Sequence, residues 1–188
     1  MNKIVLIDHN DSFTYNVVAL IARVSSLKPT VISVADVILE ELDQYDKIVL
    51  SPGAGMPADY PLSFQIIEKY ATTKAILGIC LGHQIIAEYY GAQLYNLPDV
   101  VHGQTKHISI SKSVIFKDIP SDFKVGLYHS WAVNQDAFPK ELQITSYSED
   151  NIIMSLQHRE NQVFGLQFHP ESFLTEYGET IIKNFLKL

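Results

Sequence analysis

Four short apolar runs punctuate the first eighty residues: 3–8 (KIVLID), 30–34 (TVISV), 46–51 (DKIVLS) and 75–79 (AILGI). Each is strand-length and rich in β-branched residues, with no polar alternation. That pattern marks strands covered on both faces, as in a parallel sheet. Between them the period changes. Phe13, Val17, Val18, Leu20, Ile21 and Val24 recur at helical spacing over 12–24, as do Leu62, Ile66, Ile67 and Tyr70. Ser12 is expected to cap the first of these helices. Strands alternating with helices imply an α/β fold with a mostly parallel central sheet. After Gly91 the pattern becomes a succession of strand-like segments with short turns: 92–96, 107–116, 123–128, 141–148, 152–158 and 162–168. These predict an antiparallel extension of the sheet, closed by an amphipathic helix through Ile181, Ile182, Phe185 and Leu186.

Length and composition narrow the class. The 188 residues suit one domain, taken as 1–188, with no repeat, linker or low-complexity segment. A net charge of −7 makes the chain a poor ligand for nucleic acid. No apolar stretch approaches the roughly 18–20 residues needed to span a bilayer. The apolar run near Met1 is too short for a signal peptide and meets Asp8 at once. With Cys80 as the sole cysteine no internal disulfide can form, and a reducing, cytoplasmic setting is expected.

Chemistry gathers at Cys80. The segment Gly78-Ile79-Cys80-Leu81-Gly82-His83-Gln84 lies where a buried strand meets a helix. A lone cysteine is ordinarily a buried structural thiol. Glycines at −2 and +2 instead form the cysteine version of a nucleophile elbow. Such a turn lifts the sulfur out at the carboxyl edge of the sheet, where open α/β sheets bind ligands. The helix N-terminus favours thiolate over thiol, and the Leu81 N–H would point toward a developing oxyanion.

A thiol nucleophile needs a base. His169 in Gln167-Phe168-His169-Pro170-Glu171-Ser172 follows a strand, and Glu171 is spaced to hold the imidazole nitrogen turned away from sulfur. His83 is expected to pack or bond locally, His102 and His107 to lie in a loop and a strand start, His129 to neighbour a substrate loop, and His158 to be a solvated strand end. No two histidines have metal-ligand spacing, and no metal is expected. Ser51-Pro52-Gly53-Ala54-Gly55 is a second candidate loop, whose glycines allow close approach of backbone N–H groups. It lacks the Gly-Lys-Ser/Thr of a P-loop.

SPGAG, GICLGHQ and QFHPES, in that order and over essentially the whole chain, resemble the triad-type (class I) glutamine amidotransferases. Ile7-Asp8-His9-Asn10-Asp11-Ser12-Phe13-Thr14-Tyr15-Asn16 and Tyr128-His129-Ser130 are similar to the branch serving chorismate-using synthases. That branch comprises the small subunits of anthranilate synthase and of aminodeoxychorismate synthase. The resemblance implies a flavodoxin-like fold with antiparallel additions. It implies Cys80 as nucleophile, His169 as general base and acid, and Glu171 as its orienter. Gly53 and Leu81 would offer oxyanion N–H groups, and Ala54, Gly55, Gln84, Ser130 and Trp131 would help hold L-glutamine. Asp11, Ser12, Tyr15 and Asn16 would form part of the surface for a chorismate-binding synthase large subunit. No cofactor is expected in this chain, with Mg²⁺ expected on the partner.

Anthranilate synthesis is the favoured pathway, with aminodeoxychorismate synthesis as the alternative. Two further readings compete, a γ-glutamyl cysteine hydrolase on the same fold and a non-catalytic subunit. Ala54 stands where the family usually has proline, Trp131 where leucine is common, Leu127 for a frequent arginine and Gln104 for a frequent lysine. Contacts made through backbone at Ala54 and Trp131 are expected to survive those changes.

Overall fold

A computed structural model describes residues 3–136 and 138–188; Met1, Asn2 and Ala137 of the expected 1–188 domain lie outside the described residues. The apolar runs form strands β1 (Ile4–His9), β2 (Thr30–Ser33), β3 (Lys47–Gly53) and β4 (Ala75–Ile79). Between and beyond them lie helices α1 (Thr14–Ser25), α2 (Pro61–Tyr70) and α3 (Leu81–Tyr89). The second half adds β5 (Leu94–Ile110), β6 (Asp122–Val133), β7 (Leu142–Ser148), β8 (Ile153–His158), β9 (Val163–Leu166) and α4 (Gly178–Leu186). The nine strands make one mixed sheet in the order β2-β1-β3-β4-β9-β8-β7-β5-β6. β2, β1, β3, β4 and β9 run parallel, and from β9 onward each neighbour is antiparallel.

Alternation of side chains along each strand divides the core into two layers. Ile4, Leu6, Val49, Leu77 and Ile79 pack with α1 and α4 through Val17, Leu20, Ile21, Ile181 and Phe185. Val5, Ile7, Ile48, Leu50 and Ile76 pack with α2 and α3 through Ile66, Ile67, Ile85 and Ile86. Burial on both faces explains why these strands carry no polar alternation.

Three expectations are corrected. Ser12 does not cap α1; it is exposed, and the Asp11 carboxylate accepts the Phe13 amide at 2.7 Å one residue ahead of the helix. A carboxylate with the right reach suits an orphan amide as well as a hydroxyl does. The runs 92–96 and 107–116 are not two strands. Residues 94–110 form the single long β5 on β6, with register shifts between Asn96 and Val101 and between His102 and Gln104; residues 114–116 form a 3₁₀ turn. β6 continues past Tyr128 to Val133, which carries Ser130 and Trp131 back over the edge of the parallel half.

Candidate active site

The β4–α3 junction is built around one unusual residue. Cys80 has φ 52° and ψ −100°, a backbone conformation that L-residues rarely hold. The flanking glycines are required by space. A Cβ on Gly78 would lie 2.3 Å from the Gly82 carbonyl oxygen, and one on Gly82 would lie 2.4 Å from the Leu50 carbonyl oxygen. The turn is held from the neighbouring strand by the Cys80 amide, which donates to Leu166 O at 2.7 Å. Leu81 opens α3, where the first N–H groups have no intrahelical acceptor.

β9 lies beside β4 with Ile79 opposite Leu166, so the residues just past each strand meet at one edge. His169 and Glu171 follow β9. The His169 Nδ1–H donates to Glu171 Oε1 at 2.6 Å, with side-chain exposures of only 3% and 0%. That bond leaves Nε2 turned toward Cys80, where it meets no hydrogen-bond partner among the described residues. Burial opposes a charge on the imidazole. The Cys80 sulfur and the Glu171 carboxylate outweigh burial and push the His169 pKa up to about 10. The imidazolium is therefore the form held at neutral pH. Phe13 and Tyr128 enclose the ring, with centroids 5.4 and 4.9 Å from it.

A cavity of about 170 Å³ opens over the sulfur, lined by Gly53, Ala54, Gly55, Cys80, Leu81, Gln84, Tyr128, His129, Ser130 and Trp131. All seven residues assigned to the glutamine and oxyanion sites are in that wall, drawn from the end of β3 and the loop after it, α3 and β6. Its polar lining and the Cys80 thiol in its floor distinguish it from a larger groove of about 690 Å³ at the far end of β5, around Ile110, Lys112 and Val114, which is lined by none of Cys80, His169 and Glu171. The loop after β3 is fastened from behind. Tyr60 Oη donates to Ala54 O at 2.7 Å. Ser51 Oγ spends its proton on Pro52 O, so His9 Nδ1–H donates to Ser51 and His9 Nε2 accepts from Ser63. Burial keeps His9 neutral, its pKa lowered to about 4.

Asp11, Ser12, Tyr15 and Asn16 sit around the N-terminus of α1 at the same edge. Ser12, Tyr15 and Asn16 are exposed, and Asp11 is half-buried beneath them. The Phe13 aromatic between them turns inward to Tyr128 and His169. Among the other expectations, His102 and His107 both lie within β5. His158 is half-buried, its Nδ1 accepting the amides of Glu160 and Asn161, so it organises a turn instead of standing in solvent. His83 is fully buried, held neutral by desolvation, with neither ring nitrogen partnered among the described residues. Leu127 is core, so that departure alters packing, whereas Gln104 is exposed. Among the described residues no group of three or more His, Cys, Asp and Glu is placed to hold a metal ion, and no helix is long and apolar enough to cross a membrane.

Sequence reasoning gave no role to Gln167, His9 or Tyr60. Gln167 is buried beside Cys80; its Nε2 approaches Sγ at 3.6 Å. Its place in QFHPES, one residue past a buried strand, was the available signal.

The glutamine amidotransferase class-I family model matches residues 5–188. The chain belongs to the class I glutamine amidotransferases. Among relatives of this amidotransferase, a Haemophilus influenzae protein provisionally named anthranilate synthase component II is 41% identical over 187 residues, covering 99% of this chain and 96% of the relative. The aminodeoxychorismate synthase of Streptomyces griseus is 38% identical over 99% of this chain, which spans 26% of that longer protein. The crystal structure of a Thermoplasma acidophilum protein, provisionally named as a GMP synthase subunit, superposes with a TM-score of 0.89 at 26% identity, covering all of this chain and 93% of that one.

Proposed function

We propose that this amidotransferase is the glutaminase subunit of a chorismate-using synthase, releasing ammonia from L-glutamine for anthranilate formation. The observation that carries the reading is a Cys80–His169–Glu171 arrangement opening into a small polar cavity, in a chain whose relatives bear the names of that pathway. The alternative, the same role in aminodeoxychorismate synthesis, draws on the Streptomyces griseus relative.

Chemistry follows from the geometry and from the imidazolium form of His169. The Cys80 thiolate attacks the side-chain amide carbon of glutamine. The N–H groups of Leu81 and Gly53 receive the charge that develops on the amide oxygen. His169 Nε2 gives its proton to the departing nitrogen, and ammonia leaves a glutamyl thioester. Neutral His169 then takes a proton from water as that water attacks the thioester, which restores the imidazolium and thiolate and releases glutamate. Glu171 keeps Nε2 facing the reaction throughout. Gly55, Gln84, Ser130 and Trp131 hold the glutamine, and Ala54 serves through its backbone. Asp11, Ser12, Tyr15 and Asn16 contribute to the surface for the synthase subunit, which would hold the Mg²⁺. A reducing, cytoplasmic setting suits the single thiol.

The test mixes this chain with the host's anthranilate synthase large subunit, chorismate, Mg²⁺ and glutamine, and follows anthranilate fluorescence with glutamate release. Anthranilate formed from glutamine, and lost in Cys80→Ala while free ammonia still works, is the expected result. Glutamate without anthranilate would move the partner to the aminodeoxychorismate pathway. Neither product, with a partner active on ammonia, would refute the reading.

A further inference from the structure

The cavity wall and the nucleophile are joined by a chain of amides whose orientation can be worked out from donors and acceptors alone. Gln84 Nε2 lies 3.0 Å from the Trp131 carbonyl oxygen and 3.0 Å from Gln167 Oε1. A carbonyl only accepts, so the Gln84 nitrogen must face Trp131. Its second N–H then goes to Gln167, whose oxygen is thereby occupied. The Gln167 nitrogen is left facing Cys80 Sγ, at 3.6 Å. Gln167 is fully buried, and its backbone amide is tied to Met154 O at 2.8 Å. The β4–β9 register sets it beside Cys80, because Ile79 pairs with Leu166 one residue earlier on each strand.

On the reading of Cys80 as nucleophile, we propose that Gln167 is a catalytic residue that donates a hydrogen bond to the Cys80 thiolate, aimed by the Trp131–Gln84 relay. Cys80 is 7% exposed, so water can do little to solvate an anion there. His169 is one partner for that charge, but it gives its proton away when ammonia leaves. Gln167 cannot lose its proton. It remains a donor to sulfur when the thiolate must depart from the second tetrahedral intermediate. The relay also connects the residues expected to hold glutamine to the sulfur, since Gln84 and Trp131 belong to both.

The test exploits the single cysteine, which makes alkylation of the intact chain specific to Cys80. Iodoacetamide labelling is followed from acid to alkaline pH for wild type, Gln167→Leu and Gln167→Glu. Losing a donor to the charged form disfavours thiolate, so the Gln167→Leu profile moves to higher pH by about one unit. On the acid limb this is about tenfold slower labelling at each pH, with the alkaline plateau kept. Gln167→Glu retains the bond from Gln84 but turns an acceptor toward sulfur, and its profile moves further. Unmoved acid limbs overturn the proposal, and so does a lowered plateau without a displaced limb, which is the mark of a merely structural residue. In wild type the Gln167 Nε2 proton resonances are expected to shift with the same midpoint as labelling. A resonance indifferent to that titration overturns the proposal even where neither variant folds. Neither readout involves glutamine turnover, so a chain inactive on glutamine would sink the proposed function and leave this inference to be judged separately.

Discussion

The left-handed backbone at Cys80 has a consequence for stability that is opposite to the usual one. A non-glycine residue in such a region costs about 1–3 kcal/mol, and glycine escapes most of it. At an unstrained position, replacing Ala by Gly costs about 1 kcal/mol through unfolded-chain entropy and a lost methyl. Comparing Cys80→Ala with Cys80→Gly removes the thiol from both, so its burial cancels. What remains is strain relief of about 1–3 kcal/mol against a penalty of about 1 kcal/mol. Cys80→Gly is therefore expected to match Cys80→Ala or exceed it by up to about 2 kcal/mol, although neither retains the thiol. Urea unfolding at constant m measures the difference, and 1 kcal/mol corresponds to about 2–4 °C in a chain of this size. If Cys80→Ala proves the more stable by about 1 kcal/mol, the ordinary value, φ 52° at this turn stores no strain and the argument fails.

Three further outcomes follow from the same geometry. His169, with its pKa raised to about 10, remains imidazolium across the neutral range, so glutamine hydrolysis is expected to fall on an alkaline limb. Glu171→Gln should bring that limb down toward neutrality and slow turnover roughly hundredfold; a pH–rate profile with an unmoved limb refutes the role given to Glu171. His9, His83 and His129 are buried neutral, with pKa values lowered to about 4, 3 and 4. Their stabilisation is present above the unfolded value of 6.5 and is lost as pH falls toward the folded values, at about 1.4 kcal/mol per pH unit each near pH 5, so about 4 for the three. Urea titrations at stepped pH should show a slope of that order, reduced by about a third in His129→Asn; a flat curve from pH 6.5 to 4.5 contradicts their burial as neutral groups. His9→Leu leaves the Ser51 and Ser63 hydroxyls without their ring partner, at a cost of about 2–3 kcal/mol. It should slow hydrolysis through the loop after β3 while leaving the acid limb of Cys80 labelling in place; a displaced limb would show that the loop governs the thiolate instead.

The parallel half was legible because burial on both faces leaves strands that are wholly apolar and end abruptly. The run 75–79 became β4 residue for residue. β5 was not legible, because it is a strand of a different kind. Its middle, from Pro98 through Gln104, is mostly exposed and carries a proline, a left-handed glycine at Gly103 and register shifts, so no period survives to be read. Ser12 was favoured as a cap by residue type, yet Asp11 holds the amide, since one residue of offset is invisible to composition. At the site, the residues that touch the thiol chemistry directly carried motif signals. The ones that aim them did not. His9 and Ser63 act through pairings between strands and helices distant in sequence, which only the fold brings together.

The position of β9 explains why a triad can form here at all. A purely parallel sheet gathers its loops at the carboxyl edge, but each loop is followed by a helix that carries the chain away. β9 is parallel to β4 on one side and antiparallel to β8 on the other, so it closes the parallel set without needing a crossover helix before it. Its carboxyl end therefore arrives beside the Cys80 elbow, and Gln167, His169 and Glu171 are free to follow as a tight sequence of turns. The antiparallel strands beyond it return β6 over the same edge, bringing His129, Ser130 and Trp131 to the cavity. The parallel half carries Cys80, the loop after β3 and, through its last strand β9, His169 and Glu171, and the antiparallel half carries the far wall. Loosening the β4–β9 pairing is then expected to separate Cys80 from His169 and Gln167 together, because a single register sets both distances.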